Sequence, residues 1–128
     1  MIVVDSSVWI DNIRDLDVDH VRKLGSIRNH EIIVGDLILL EVLRGARDDA
    51  HASKLQQHFA HMRVVAMLTP TLVPVAAQNY RHLRALGITI RKLTDLIVGT
   101  YCIENGLALL QSDRDFIPMA RHLGLKLI

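Results

Sequence analysis

Four acidic residues stand in this 128-residue chain where a carboxylate is out of keeping with its neighbours. Asp5 follows the apolar run MIVV, and Asp113 follows LALLQS. Glu41 interrupts the apolar stretch LILLEVL, and Asp95 opens another, DLIVGTYCI. A carboxylate withdrawn from water is costly unless it is paired or holds a cation. Two of them about 4 Å apart repel by about 4 kcal/mol at an effective dielectric of about 20. Several converging acids therefore call for a divalent cation, and an all-oxygen donor set suits magnesium or manganese rather than zinc. Such an ion acidifies a bound water and so generates a nucleophile without a histidine.

Each acid also has a structural alternative. Asp5 can cap a following helix, as can Ser6 or Ser7. Asp95, behind Thr94, fits a cap or a first-turn acid, and Asp113 fits a turn. Glu41 can face solvent, because so apolar a helix has no periodicity to fix its face. Taken singly, each acid favours the structural role; the combination of two strand ends and two apolar helices points to a site.

These acids must be positioned by the elements around them. The apolar runs Met1–Val4, Glu31–Val34, Arg63–Leu68, Leu107–Leu110 and Leu125–Ile128 read as strands. Between them, a helix through Trp9 and Ile10 and helices over Val18–Asn29, Leu37–Ala46, His51–His61, Thr71–Leu86, Thr94–Asn105 and Phe116–His122 are expected, with Gly45, Gly87 and Gly106 as stops. Leu72, Ala76, Tyr80 and Leu83 share one stripe of the Thr71–Leu86 helix. Uniformly apolar strands separated by helices imply an α/β fold, a mostly parallel sheet with helices on both faces. In such a sheet ligands bind beyond the carboxyl ends of the strands, where Asp5 and Asp113 lie.

Composition narrows the rest. Half of the residues are hydrophobic, enough for one core at this length, so residues 1–128 form a single domain. The lone Cys102 excludes an intrachain disulfide and a thiolate zinc site, and reads as a buried thiol. A net charge of +1 means that nucleic acid would be met by a local patch, with Arg81, Arg84, Arg91, Lys92 and Arg114, and further Arg44 and Arg47, as candidates, although a charged solvent face is the favoured reading for most of them. No apolar run approaches the roughly 18 residues of a membrane span, and no signal segment opens the chain, so a soluble cytoplasmic protein is expected. His58 and His61 lack partners for a metal motif and read as solvated, and Trp9 reads as core.

The segments VVDSSVWID, LLEVLRGA and KLTDLIVGTYCIENGLALLQSDRDF, in this order and at this chain length, resemble the PIN-domain ribonucleases of the VapC type, the toxin halves of toxin–antitoxin pairs. The resemblance implies a three-layer PIN-like fold. It implies an acidic cluster of Asp5, Glu41, Asp95 and Asp113, with Asp5, Asp95 and Asp113 as metal ligands for magnesium or manganese. It further implies hydrolysis of RNA, inhibition by a small antitoxin protein that places an arginine among the carboxylates, and a homodimer. In SDRDF the family pattern puts the principal ligand on Asp113, leaving Asp115 as a supporting acid; its place before Phe116 suggests that it caps the last helix. Ser7 matches a hydroxyl position that orients Asp5, although a helix cap fits it equally. A housekeeping RNA-processing nuclease and a non-catalytic module on the same scaffold are the competing readings. A phosphoacceptor receiver domain is set aside, because RVVAML is followed by Thr69–Pro70 and not by an aspartate.

Overall fold

The computed structural model describes residues 1–128. The first half of the chain forms β1 (Ile2–Val4), α1 (Ser6–Ile13), α2 (Asp19–Gly25), β2 (Ile32–Gly35), α3 (Asp36–Arg44) and α4 (Asp49–Phe59). The second half forms β3 (Arg63–Val65), α5 (Leu72–Ala85), α6 (Leu93–Glu104), β4 (Ala108–Leu110), α7 (Phe116–Leu123) and β5 (Lys126–Leu127). All five strands run parallel in the order β3-β2-β1-β4-β5. The α/β class and the single domain expected from the sequence are thus present, with the sheet wholly parallel.

Strand order dictates the layers. The chain moves outward from β1 through β2 to β3, then returns across the sheet to β4 and β5. Because parallel crossovers are right-handed, the reversal puts α1–α4 on one face and α5–α7 on the other. The packing agrees: α1 meets α2 and α3, while α5, α6 and α7 meet one another. Val3, Val4, Val34, Leu109 and Leu110 of the sheet are fully buried between Val8, Ile38 and Val42 of the first layer and Leu83, Val98, Phe116 and Met119 of the second. Each such side chain contributes about 1.5–3 kcal/mol of transfer free energy. Two glycines permit close layer contact. A Cβ on Gly35 would overlap the Met67 sulfur, and one on Gly99 would overlap the tip of Met119.

Three expectations needed correction. The Val18–Asn29 helix ends at Gly25, where Ser26 turns its hydroxyl onto the Lys23 carbonyl, and a 3-10 turn over Asn29–Glu31 follows. The Arg63–Leu68 strand pairs only to Val65, because the Met67 N–H is diverted to the Asp36 carboxylate. Tyr80 leaves the buried stripe of α5 and is 37% exposed, whereas Leu72, Ala76 and Leu83 are buried. Trp9 and Cys102 are core residues as expected, and the Trp9 indole N–H donates to the Val4 carbonyl. No helix is long and apolar enough to cross a membrane.

Candidate functional site

β1 and β4 are hydrogen-bonded neighbours although their outgoing connections diverge to opposite sides of the sheet. This is the topological switch point, where two loops separate and open a crevice at the carboxyl edge. The Asp5 N–H continues the ladder onto the Leu110 carbonyl at 2.9 Å, so Asp5 enters the crevice floor directly from β1.

Asp5 takes the capping role and also keeps one oxygen free of it. Its Oδ2 caps α1, accepting from the Ser7 N–H at 3.1 Å and the Ser7 hydroxyl at 2.5 Å. Its Oδ1 is buried and has no hydrogen-bond partner. Ser7 Oγ also accepts from the Ser112 N–H at 3.3 Å, which ties the end of β4 to the start of α1. One hydroxyl therefore orients Asp5 and anchors the loop carrying Asp113.

Asp95 stands in the first turn of α6 and is 4% exposed, and its Oδ2 is a second buried oxygen without a partner. Carboxylate oxygens of Asp95, Asp113 and Asp115 all lie within 4.8 Å of one another. Asp113 Oδ1 accepts from the Asp115 N–H at 3.0 Å, and its Oδ2 lies 3.8 Å from Lys92 Nζ. Asp115 occupies the position before α7, but its side chain caps no amide. Its αR backbone (φ −64°, ψ −19°) is not the extended conformation a capping side chain uses, so the carboxylate joins Asp95 and Asp113 instead. That corrects the expected capping role.

Electrostatics draws in the remaining acids. Burial pushes the Asp5 carboxyl above the usual range; its bonds to Ser7 pull it back, and Asp113 adds to the rise. Asp95 is pushed up to about 7, first by burial and then by the charges of Asp5, Asp113 and Glu41, with Lys92 opposing. Glu41 is half-buried and also raised, first by burial and then by Asp5, while Lys92, the Ser6 hydroxyl and Arg44 oppose. Glu41 is thus half-buried on α3 within electrostatic reach of Asp5, although it is not one of the acids whose oxygens lie within 4.8 Å of one another. Cys102, its thiol pushed up to about 12 mainly by burial, offers no nucleophile.

Above the acids opens a cleft of about 450 Å³ lined by Ser7, Arg91, Lys92, Ser112, Asp113, Arg114 and Asp115, without one hydrophobic side chain. The candidate cations separate accordingly. Arg91, Lys92 and Arg114 border the acids; Arg81 lines an apolar groove, Arg47 another groove, and Arg84 bonds Thr89. Sequence reasoning treated Lys92 as one of several surface cations. Its place three residues before Asp95, on the same helix entry, was the signal that it belongs to the acids.

The residues fit a hard divalent cation. Two buried carboxylate oxygens lack any donor, the candidate ligand atoms are all oxygen, and burial, with repulsion from neighbouring acids after it, raises the Asp5, Asp95 and Glu41 carboxyls.

The family model of the PIN domain matches residues 2–122. A curated relative named VapC ribonuclease Mb1587, from Mycobacterium bovis, is 28% identical over 98% of this chain and 96% of its own length. Among solved structures, the FitAcB complex of Neisseria gonorrhoeae superposes with a TM-score of 0.78 at 14% identity, covering 100% of this chain and 96% of that one. The VapBC2 complex of Rickettsia felis bound to a promoter DNA fragment gives a TM-score of 0.77 at 17% identity, covering 100% and 98%.

Proposed function

This chain belongs to the PIN-domain family, and we propose that it is a metal-dependent endoribonuclease serving as the toxin of a toxin–antitoxin pair. The carrying observation is the set of acids at the switch point, two of them with buried, unpartnered oxygens. Names of relatives support the activity: one is a VapC ribonuclease, and one structural neighbour is a VapBC complex.

In this reading Asp5, Asp95 and Asp113 hold magnesium or manganese, and Asp115 joins them. When bound, the cation acidifies a water and offsets charge on the scissile phosphate. The chain's own residues do the rest. Ser7 keeps Asp5 in place through two hydrogen bonds. Arg91 and Arg114 hold the RNA backbone along the cleft walls, a contact without base specificity. Glu41, outside the close trio and with its proton affinity raised, serves proton transfer. A cytoplasmic location, a homodimer and an antitoxin that seats an arginine in the acidic cleft belong to the same reading.

Expression of the chain alone should arrest growth, and co-expression of the neighbouring small gene product should relieve the arrest. Glu41→Gln should abolish both toxicity and RNA cleavage while leaving the fold intact. Harmless expression of a demonstrably active enzyme would favour the housekeeping reading, and wild-type cleavage by Glu41→Gln would remove that residue from the site.

A further inference from the structure

Lys92 stands where a cation is least expected if the acids exist only to hold a metal. It is the residue before α6, with an extended backbone (φ −104°, ψ 126°), three positions ahead of Asp95. Its Nζ lies 3.8 Å from Asp113 Oδ2, an oxygen of the close carboxylate trio. Its charge also reaches Asp95 and Glu41, which lie on two different helices. Yet the lysine side chain is 61% exposed, and at 3.8 Å it forms a loose ion pair rather than a tight hydrogen-bonded one. A hydrated point charge on a flexible stem can hold such a place and leave it, which a forked and stacked arginine does less readily.

A monovalent ammonium and a divalent cation compete for the same carboxylate oxygens. Once the divalent ion is seated, repulsion drives the ammonium outward. Lys92 already lines the polar cleft together with Arg91 and Arg114. We propose that Lys92 is the resident counter-cation of the acidic cluster: it partly neutralises the acids before the metal arrives, yields Asp113 to the metal, and then pairs with a phosphate of the RNA in the cleft. This rests on the metal-dependent nuclease reading and adds to it a positioning residue with two stations. A built-in counter-charge lessens, without cancelling, the repulsion among the acids before the metal binds. The same residue afterwards contributes to holding substrate.

The consequence is a pair of effects with opposite signs. Manganese titrated calorimetrically into wild-type protein, Lys92→Gln, Lys92→Arg and Asp113→Asn gives the first, and steady-state cleavage of a single-stranded RNA at saturating manganese gives the second. Removal of a competing charge should let Lys92→Gln bind manganese about fivefold more tightly, as expected for a loose, partly exposed ion pair. The same variant should lose about tenfold in kcat/KM, the scale of one charge-assisted hydrogen bond to phosphate. Lys92→Arg keeps the charge and should not show the tighter manganese binding of Lys92→Gln; its forked guanidinium, leaving Asp113 less readily, should bind the metal somewhat more weakly than the wild type. A merely structural role would lower both quantities together, and that result overturns the proposal, as does unchanged or weaker manganese binding by Lys92→Gln. Asp113→Asn separates the two levels. If wild-type protein binds no manganese, or binds it undiminished in Asp113→Asn, the metal-centre assignment itself fails and the role of Lys92 falls with it.

Discussion

Two stretches of the same sheet edge carry aspartates just past a strand, with opposite outcomes. Asp36 follows β2, and its Oδ1 accepts from the Leu37 N–H at 2.8 Å and the Met67 N–H at 3.1 Å. It is exposed, and it fastens the exit of β3 to the start of α3. Asp5 follows β1 and is 2% exposed, with one oxygen committed to Ser7 and the other bonded to nothing. Position at a strand end therefore does not make an aspartate functional. What separates the two is a buried oxygen without a donor and other acids close enough to raise its proton affinity. The half around β2 and β3 uses its carboxylate to hold the fold together, while the half around β1 and β4 holds carboxylates together against their own repulsion.

The largest break in this contrast should come from Asp95→Asn, which removes a buried charge from the repelling half. RNA cleavage should fall about a thousandfold, on the scale of losing one central electrostatic contact. Without metal the variant should melt higher than the wild type, because a charge held out of water has been neutralised. Loss of activity together with lower metal-free stability would mark Asp95 as a structural residue.

The pH dependence follows from the same charge. Folding raises the Asp95 carboxyl from its ordinary 3.8 to about 7. The native state thus holds this proton more tightly than the unfolded chain, and the contribution to stability becomes unfavourable as pH rises from about 4 through about 7. Asp5 and Glu41 are shifted the same way. Metal-free protein should melt several degrees lower at about pH 8 than at about pH 5. Manganese should recover the loss at the higher pH and be released as pH falls through about 7. Asp95→Asn should flatten the profile, and a wild-type profile without the decline would contradict the assigned repulsion.

A smaller effect sharpens membership of the cluster. Asp115→Asn should weaken manganese binding about tenfold, within the range for a supporting metal-site residue. Asp113→Asn should weaken it more. Equal affinity of Asp115→Asn and wild type would leave Asp115 outside the site. The least change in activity is expected on the structural half: Asp36→Ala should keep cleavage within about twofold while costing about 1 kcal/mol of stability through its lost hydrogen bonds, read from denaturant unfolding.

The architecture was legible because the central strands β1, β2 and β4 are apolar along their length and mostly buried, which requires a parallel sheet between helix layers. Asp5 and Asp113 were legible for the same reason, since the ends of those strands are visible as the ends of MIVV and LALL. Glu41 was not assignable to a face, because LILLEVL is apolar around its whole circumference. Packing decided it, burying Ile38 and Val42 and leaving Leu40 62% exposed. Asp115 misled because capping is judged from local residue types, whereas the turn before α7 is closed by backbone groups, with the Phe116 N–H on the Asp113 carbonyl at 3.4 Å. The early end of β3 depended on the bond from Met67 to Asp36, thirty-one residues away, which no local pattern contains.

The central claim is that the β1–β4 half of the edge is a metal-dependent RNA hydrolase. It is tested most directly by incubating the purified chain, free of any inhibitor protein, with a defined single-stranded RNA in EDTA and then in excess manganese or magnesium, and by analysing the cleaved ends. No cleavage is expected in the chelator, restored cleavage with either ion, no restoration in Asp95→Asn, and ends without a 2′,3′-cyclic phosphate because water is the nucleophile. Full cleavage in EDTA with cyclic-phosphate ends, undiminished in Asp95→Asn, would contradict it.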